Sequence, residues 1–189
     1  MNMKIYKQPV SVLVVIYTAD RHSVEQEKRH LDKPVLSTVE RSSTGRLGGT
    51  GPDLKVLLLE RADHPGYWQS VTGSCEQGET LTETAIREVR EETGLDATHY
   101  RLTDWQTQNV YEIYPHWRFR YPPDITHNTE HVFGLELPQV VPIQLAAREH
   151  LNFRWLAWQD AAEAVFSSSN RAAILQLPEH LCFSVEKDK

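Results

Sequence analysis

Residues 73–95 read GSCEQGETLTETAIREVREETGL and join a glycine-containing loop to an acidic segment. The spacing Thr80-x-x-Glu83 is a capping box, and it predicts a helix that begins at about Leu81 and runs to Thr93. Gly94 predicts the end of that helix, because glycine readily adopts the left-handed conformation that closes helices. The stretch therefore predicts a loop followed by a capped helix.

The predicted helix carries three glutamates on one side. At about 100° per residue, Glu88, Glu91 and Glu92 share an arc of about 100°. The arc adjoins the apolar stripe of the helix, which predicts that Glu92 lies at the seam between core and solvent. Like charges four residues apart destabilise a helix by a few tenths of a kcal/mol, and a divalent cation with a preference for oxygen would offset that cost. The alternative is a solvated acidic face in which Arg87 and Arg90 form ion pairs.

The whole segment resembles the Nudix pattern, in which glycine, glutamate and arginine stand at fixed spacings. This pattern, Gly-x5-Glu-x7-Arg-Glu-aliphatic-x-Glu-Glu-x-Gly-aliphatic, is far more specific than a lone glycine-rich triplet. The resemblance implies an α/β fold, the Nudix α/β/α sandwich with a mixed sheet and a loop–helix–loop catalytic segment. It also implies hydrolysis of a nucleoside diphosphate linked to another group. The matching residues are Gly73, Glu79, Arg87, Glu88, Val89, Glu91, Glu92, Gly94 and Leu95.

The resemblance also implies roles for the acidic residues. Glu88 and Glu92, with Glu149 from outside the segment, would hold Mg²⁺, with Mn²⁺ as a possible substitute. The catalytic residues would be Glu91, Glu149 and Arg87, and Arg87 would also hold the loop residue Glu79 in place. The metal would polarise phosphoryl oxygens and activate a water for in-line attack, and Glu149 is a candidate general base.

The residues around the segment narrow the resemblance. Where many Nudix enzymes carry Pro-Gly-Gly, residues 68–74 read WQSVTGS. Together with the stretches 6–11, 111–114, 127–130, 149–151 and 169–171, they resemble the bacterial dihydroneopterin triphosphate pyrophosphatases of folate synthesis. The resemblance covers nearly the whole chain outside residues 22–53, which have no counterpart there beyond a short link. Cys75 stands where that group usually has an aliphatic residue.

This narrower resemblance implies a set of substrate contacts. A lysine and an arginine are suited to a triphosphate, and aromatic rings can stack on a flat pterin. The implied substrate-binding residues are Lys7, Arg61, Thr72, Tyr111, Glu112, Ile113, Tyr114 and Ser167.

Two alternatives differ in substrate or in class. A Nudix enzyme could instead prefer dATP, other nucleoside triphosphates or dinucleoside polyphosphates. A non-catalytic Nudix module could bind a ligand without hydrolysing it, although such modules typically lack glutamates that this segment retains.

Composition sets the broad class. The chain has 189 residues, which suits a single domain over 1–189 with a polar insertion at about 22–53. Its net charge of −6 argues against a nucleic-acid-coating protein. The apolar run at 10–17 is too short to span a bilayer and predicts a buried strand. Two cysteines, Cys75 and Cys182, predict free thiols in the cytoplasm.

A small-molecule triphosphate is the expected partner of the protein. We expect neither nucleic acid nor a membrane as a partner, and the sequence leaves the oligomeric state open.

The remaining apolar stretches predict further elements. We expect a strand at 55–59, a turn at 61–66 and a loop-like stretch at 138–148. Other predicted strands lie at 102–108, 110–114, 131–137 and 153–155, and predicted helices lie at 160–166 and 171–177.

Overall fold

The computed structural model describes residues 6–18 and 54–184, with side chains up to residue 181. The predicted insertion at 22–53 lies outside the described residues, and the assignment of 1–189 to a single domain stays a prediction. The strands within the described ranges form one seven-stranded sheet. They are β1 (Val10–Thr18), β2 (Lys55–Arg61), β3 (Trp68–Gln69), β4 (Val71–Ser74), β5 (Arg101–Glu112), β6 (His127–Leu137) and β7 (His150–Ala157).

Strand β1 lies at the centre of this sheet. Its whole length pairs in parallel with β6, from Val10 opposite Thr129 to Thr18 opposite Leu137. Its other edge is shared, because β4 pairs antiparallel with its first half and β2 with its last two residues. Strand β5 extends the sheet beyond β6, and β3 and β7 both pair with β2. The sheet is mixed, as the sequence predicted.

Helices cover both faces of β1, which explains why its sequence is a continuous apolar run rather than an alternating one. The helices are α1 (Leu81–Thr93), α2 (Trp158–Ala164) and α3 (Ser168–Ser184). Leu13 and Val15 pack in the cluster that contains α2 and α3, whereas Val12 and Val14 pack in the cluster that contains α1. The predicted α/β/α sandwich is therefore confirmed. Among the described residues, no helix is long and apolar enough to cross a membrane.

Helix α1 has the predicted bounds because its ends are fixed by local interactions. The Thr80 side chain accepts a hydrogen bond from Glu83 N, and the Glu83 carboxylate accepts one from Thr80 N. Gly94 closes the helix at φ 72° and donates its N–H to Arg90 O. Each such cap contributes about 1 kcal/mol.

Other boundaries differ from the sequence prediction. The two strands predicted at 102–108 and 110–114 are one strand, β5, whose register shifts between Asp104 and Thr107. Tyr114 lies beyond β5 and precedes a short 3₁₀ helix, Pro115–Arg120. Strands β2, β6 and β7 and helices α2 and α3 lie where elements were predicted, with shifted or longer bounds. Backbone pairing with neighbouring strands lengthens the strands beyond what their apolar patterns indicate.

Candidate active site

Arg87 of α1 ties the loop before the helix to the helix itself. Its guanidinium donates to both carboxylate oxygens of Glu79, at 2.7 and 3.0 Å, and to the carbonyl oxygen of Ser74 at 3.0 Å. It also donates to Glu88 at 2.7 Å and to Glu91 at 3.2 Å. The hydrogen bonds from Arg87 lower the pKa of Glu79 to about 2. The predicted contact between Arg87 and Glu79 is therefore present, and it fixes the loop with a bidentate, charge-assisted pair.

Gly73 makes room for the carboxyl group of Glu88. A Cβ atom at position 73 would lie only 1.7 Å from Glu88 Cδ and 1.8 Å from Glu88 Oε1. The glycine of the segment is needed because a helix carboxylate packs directly against the strand backbone.

Glu88 and Glu92 are buried rather than placed at a seam between core and solvent. Their exposures are 8% and 2%. Burial raises the pKa of Glu88 to about 7, against the opposing effect of Arg87. Burial also raises the pKa of Glu92, against the opposing effect of His150. Two carboxyl groups that lose hydration in this way are poised to bind a cation that supplies the missing charge.

The loop at 138–149 buries Glu92 and places two further side chains beside it. Gln144 N donates to Thr93 O at 3.0 Å and Ala146 N to Glu92 O at 3.4 Å, so the loop closes over the end of α1. Ala62 N donates to Glu149 O at 2.8 Å and fixes the end of the loop beside β2. These contacts bring Glu149 and His150 to Glu92.

Glu92, Glu149 and His150 form a group that could hold a metal ion, with one ligand atom from each within 4.8 Å of the others. His150 Nε2 lies 3.0 Å from Glu92 Oε2, and both side chains are buried. This close approach does not have hydrogen-bond geometry, and within the described part of the chain Glu92 Oε2 and both ring nitrogens of His150 are buried without a hydrogen bond. Buried polar atoms are normally satisfied, so these residues fit a bound cation.

His150 is the member of this group that the sequence did not reveal as a site residue. It stands directly after Glu149 in the sequence. Its position beside the predicted ligand Glu149 was the one indication in the sequence that His150 could belong to the site. The loop geometry is what places its ring beside Glu92.

A cavity of about 1240 Å³ opens beside this group. Glu92, Glu149 and His150 line it, and so does each of the substrate-binding residues that the sequence predicted. Those residues come from both ends of the chain and from several separate elements and loops, namely Lys7, Arg61, Thr72, Tyr111, Glu112, Ile113, Tyr114 and Ser167.

Four cationic side chains also line the cavity: Lys7, Arg61, Arg120 and Arg148. Arg61 donates to both oxygens of Asp63 and to Gln69 Oε1, and it lies over the rings of Trp117 and Phe166 at 5.5 and 5.9 Å. Among the residues that the structure describes, the other three form no ion pair. The cavity thus offers positive charge to an anionic ligand beside a group of carboxylates that suits a cation.

The family model of the NUDIX domain matches residues 45–177 of the chain. The protein belongs to the Nudix hydrolase family. It is 40% identical over 178 residues to the dihydroneopterin triphosphate diphosphatase of Escherichia coli K12, covering 93% of this chain and 96% of that protein. It is 37% identical over 172 residues to the enzyme of the same name from Haemophilus influenzae, covering 89% and 87%.

Solved structures agree with this assignment. The structure of the E. coli dihydroneopterin triphosphate pyrophosphohydrolase superposes with a TM-score of 0.67 at 40% identity, over 92% of this chain and 97% of that one. As a Nudix hydrolase, the chain is an enzyme of a family that uses divalent metals and small-molecule phosphate substrates.

The Nudix glutamates do not all meet at one point. Glu91 is 58% exposed and contacts Arg87, and neither Glu91 nor Arg87 lines the cavity. Glu88 contacts Arg87 and packs against Gly73 rather than joining the group around Glu92. The metal role of Glu88 and the catalytic roles of Glu91 and Arg87 therefore stay predictions.

Proposed function

We propose that this Nudix hydrolase converts dihydroneopterin triphosphate and water to dihydroneopterin monophosphate and pyrophosphate, with Mg²⁺ as its metal. One observation carries the proposal. All eight substrate-binding positions expected of such an enzyme line a single cavity together with Glu92, Glu149 and His150. The 40% identity to the E. coli diphosphatase over most of both chains supports it.

The metal would be held by carboxylate oxygens. Mg²⁺ prefers oxygen ligands and binds through carboxylates and substrate phosphates, so we assign Glu92 and Glu149, with Glu88 completing the set, as its ligands. When bound, Mg²⁺ supplies charge for the phosphoryl oxygens and lowers the pKa of a water. His150 then acts as a positioning residue, because its ring lies 3.0 Å from Glu92 and is a poorer ligand for this cation.

Other residues of the cavity would hold the substrate for attack at the α-phosphorus. Lys7 and Arg61 place positive charge beside the phosphate chain. Glu149, which is exposed to the cavity, accepts the proton from the attacking water as the candidate general base. The bond between the α-phosphorus and its bridging oxygen breaks, and pyrophosphate leaves. Tyr111 and Tyr114 are exposed aromatic residues that can pack on the pterin.

A substrate panel tests this function. Purified protein with Mg²⁺ is incubated separately with dihydroneopterin triphosphate, dATP, other nucleoside triphosphates and diadenosine tetraphosphate, and pyrophosphate or phosphate release is measured. We expect the highest kcat/KM with dihydroneopterin triphosphate. A nucleotide that is hydrolysed faster by a wide margin would refute the pterin assignment while leaving the Nudix chemistry intact.

A variant pair tests the metal ligands. Glu92→Gln should abolish hydrolysis of every substrate, because the amide removes a charged ligand from the buried group. Glu163→Gln alters an exposed carboxylate that pairs with Arg171 outside the cavity, and it should leave activity unchanged.

We also propose that the enzyme acts in the cytoplasm, since Cys75 is a free buried thiol.

A further inference from the structure

One wall of the cavity is built from polar residues that, apart from Tyr111, have no role in the proposed chemistry. Strand β6 places Asn128, Glu130 and Val132 on the same face, because side chains alternate along a strand. Val132 is fully buried in the core beneath α3, whereas Asn128 and Glu130 line the cavity. The face thus changes from apolar to polar where it leaves the core.

Neighbouring strands continue this polar wall. Glu130 pairs with Ser11 of β1 on one side and with Asn109 of β5 on the other. Asn128 pairs with Tyr111 of β5. Side chains of paired residues lie on the same face, so the five residues form one continuous surface at this end of the cavity.

Glu130 is buried in this wall with little to balance its charge. It is 6% exposed, and its hydrogen bonds come from Ser169 and from Asn109 Nδ2 at 3.4 Å. Among the described residues no lysine or arginine pairs with it. Burial raises the pKa of its carboxyl group. An ionised carboxylate in such a position lacks strong donors.

Asn128 adds a second acceptor that lacks a donor. Its Nδ2 donates to Ser11 Oγ at 2.7 Å and to Tyr111 Oη at 3.0 Å. Its Oδ1 is buried and has no hydrogen-bond partner among the described residues. The wall therefore has unused acceptors and a shortage of donors, and the ligand group that complements it carries adjacent N–H groups.

We propose that Glu130, positioned beside Asn109 and Ser169, is the specificity-determining residue that recognises the 2-amino-4-oxopyrimidine edge of the pterin ring, an inference that rests on the proposed function. That edge presents the N3–H and the 2-amino group side by side. A carboxylate accepts both in parallel, as it does from the two N–H groups of an arginine fork. Asn128 orients the neighbouring Tyr111 through the hydroxyl group of the tyrosine.

The charge of the wall also sets the direction of the substrate. A carboxylate repels phosphates, so the triphosphate lies away from Glu130, towards the group around Glu92. Thr72 of β4 marks that end, because its backbone N–H donates to Glu92. Strand β6 is two strands from β4, which separates the two ends by about 10 Å.

A binding experiment without turnover tests the proposal. The probes are neopterin and the lumazine with the same side chain, in which an oxo group replaces the 2-amino group, and dissociation constants are measured by ligand fluorescence. Wild-type protein should bind neopterin at least about tenfold more tightly than the lumazine, because the oxo group would face the carboxylate. Glu130→Gln should weaken neopterin binding about tenfold to hundredfold and bring the ratio of the two constants towards one.

The control is Glu136→Gln, the same substitution at a buried glutamate of the same strand that does not line the cavity. It should leave the neopterin-to-lumazine ratio unchanged. The proposal is overturned if folded Glu130→Gln keeps the wild-type ratio. It is also overturned if wild-type protein shows no preference for neopterin over the lumazine, or does not bind neopterin at millimolar concentration. Because these two measurements use wild-type protein, they test the proposal even if Glu130→Gln fails to fold.

The two proposals fail separately. Slow hydrolysis of dihydroneopterin triphosphate would refute the proposed function, whatever the binding ratio. A missing preference for the 2-amino group would refute the role of Glu130, even if dihydroneopterin triphosphate is the best substrate.

Discussion

Replacement of Gly73 by alanine is the sharpest perturbation that the site offers. The added Cβ would lie 1.7 Å from Glu88 Cδ, whereas carbon atoms in contact are about 3.5–4.0 Å apart. The carboxyl group must therefore move by about 2 Å. It cannot move without cost, because Glu88 is 8% exposed and accepts a hydrogen bond from Arg87 at 2.7 Å.

The cost can be bounded from these contacts. Overpacking a buried site destabilises a protein by about 1–3 kcal/mol, and a lost hydrogen bond between charged groups by about 1.5–3 kcal/mol. The two costs are not fully additive, because movement of the Glu88 carboxyl group relieves the overpacking while it breaks the hydrogen bond. We therefore expect the free energy of unfolding to fall by about 2–4 kcal/mol in total. In a protein of this size each kcal/mol lowers the melting temperature by about 2–4 °C. Displacement of Glu88 should also lower kcat/KM about 100-fold.

Gly78→Ala separates this clash from backbone strain. Gly78 has φ +91° and open space where its Cβ would stand, with nothing within 4 Å, whereas Gly73 does not have a positive φ. The control should cost about 1–2 kcal/mol from strain alone and retain most activity. Thermal denaturation and steady-state kinetics measure both variants. If Gly73→Ala leaves the melting temperature and kcat/KM unchanged, Glu88 does not need the space that the structure gives it.

Three further outcomes are expected. Without divalent cations, stability should fall by up to about 3 kcal/mol as pH rises from 4.5 towards 7, because Glu88, with a pKa of about 7, holds its proton longer in the folded state. Urea denaturation with a chelator measures this slope, and Glu88→Gln should make it shallower, leaving the part that the raised pKa values of Glu92 and Glu130 contribute. Arg87→Lys should lose about 1 kcal/mol at pH 7, since lysine cannot form the bidentate pair. That loss should vanish as pH falls from 4.5 to 2, where Glu79 becomes protonated; a loss independent of pH would contradict this origin. His150→Ala should weaken Mg²⁺ binding about 10–100-fold in calorimetry, and an unchanged affinity would exclude a role in positioning Glu92.

Local interactions account for the parts of the protein that the sequence determined. Helix α1 begins and ends where predicted, because the Thr80–Glu83 capping box and Gly94 act within a few residues of each end. Strand β1 was recognisable because burial on both faces leaves a continuous apolar run. The spacing of the glutamates and Arg87 likewise indicated a phosphate-hydrolysing Nudix segment before any neighbour was known.

Long-range packing decided the rest. The helical periodicity placed Glu92 at the edge of the core, and only the loop at 138–149 buries it and carries His150 to within 3.0 Å of it. The polar wall around Glu130 arises from the register of three strands that are far apart in sequence. A sequence records which side chains are available and which local turns and caps they favour. Which of them share a cavity depends on contacts between distant segments, whose energies no local pattern contains.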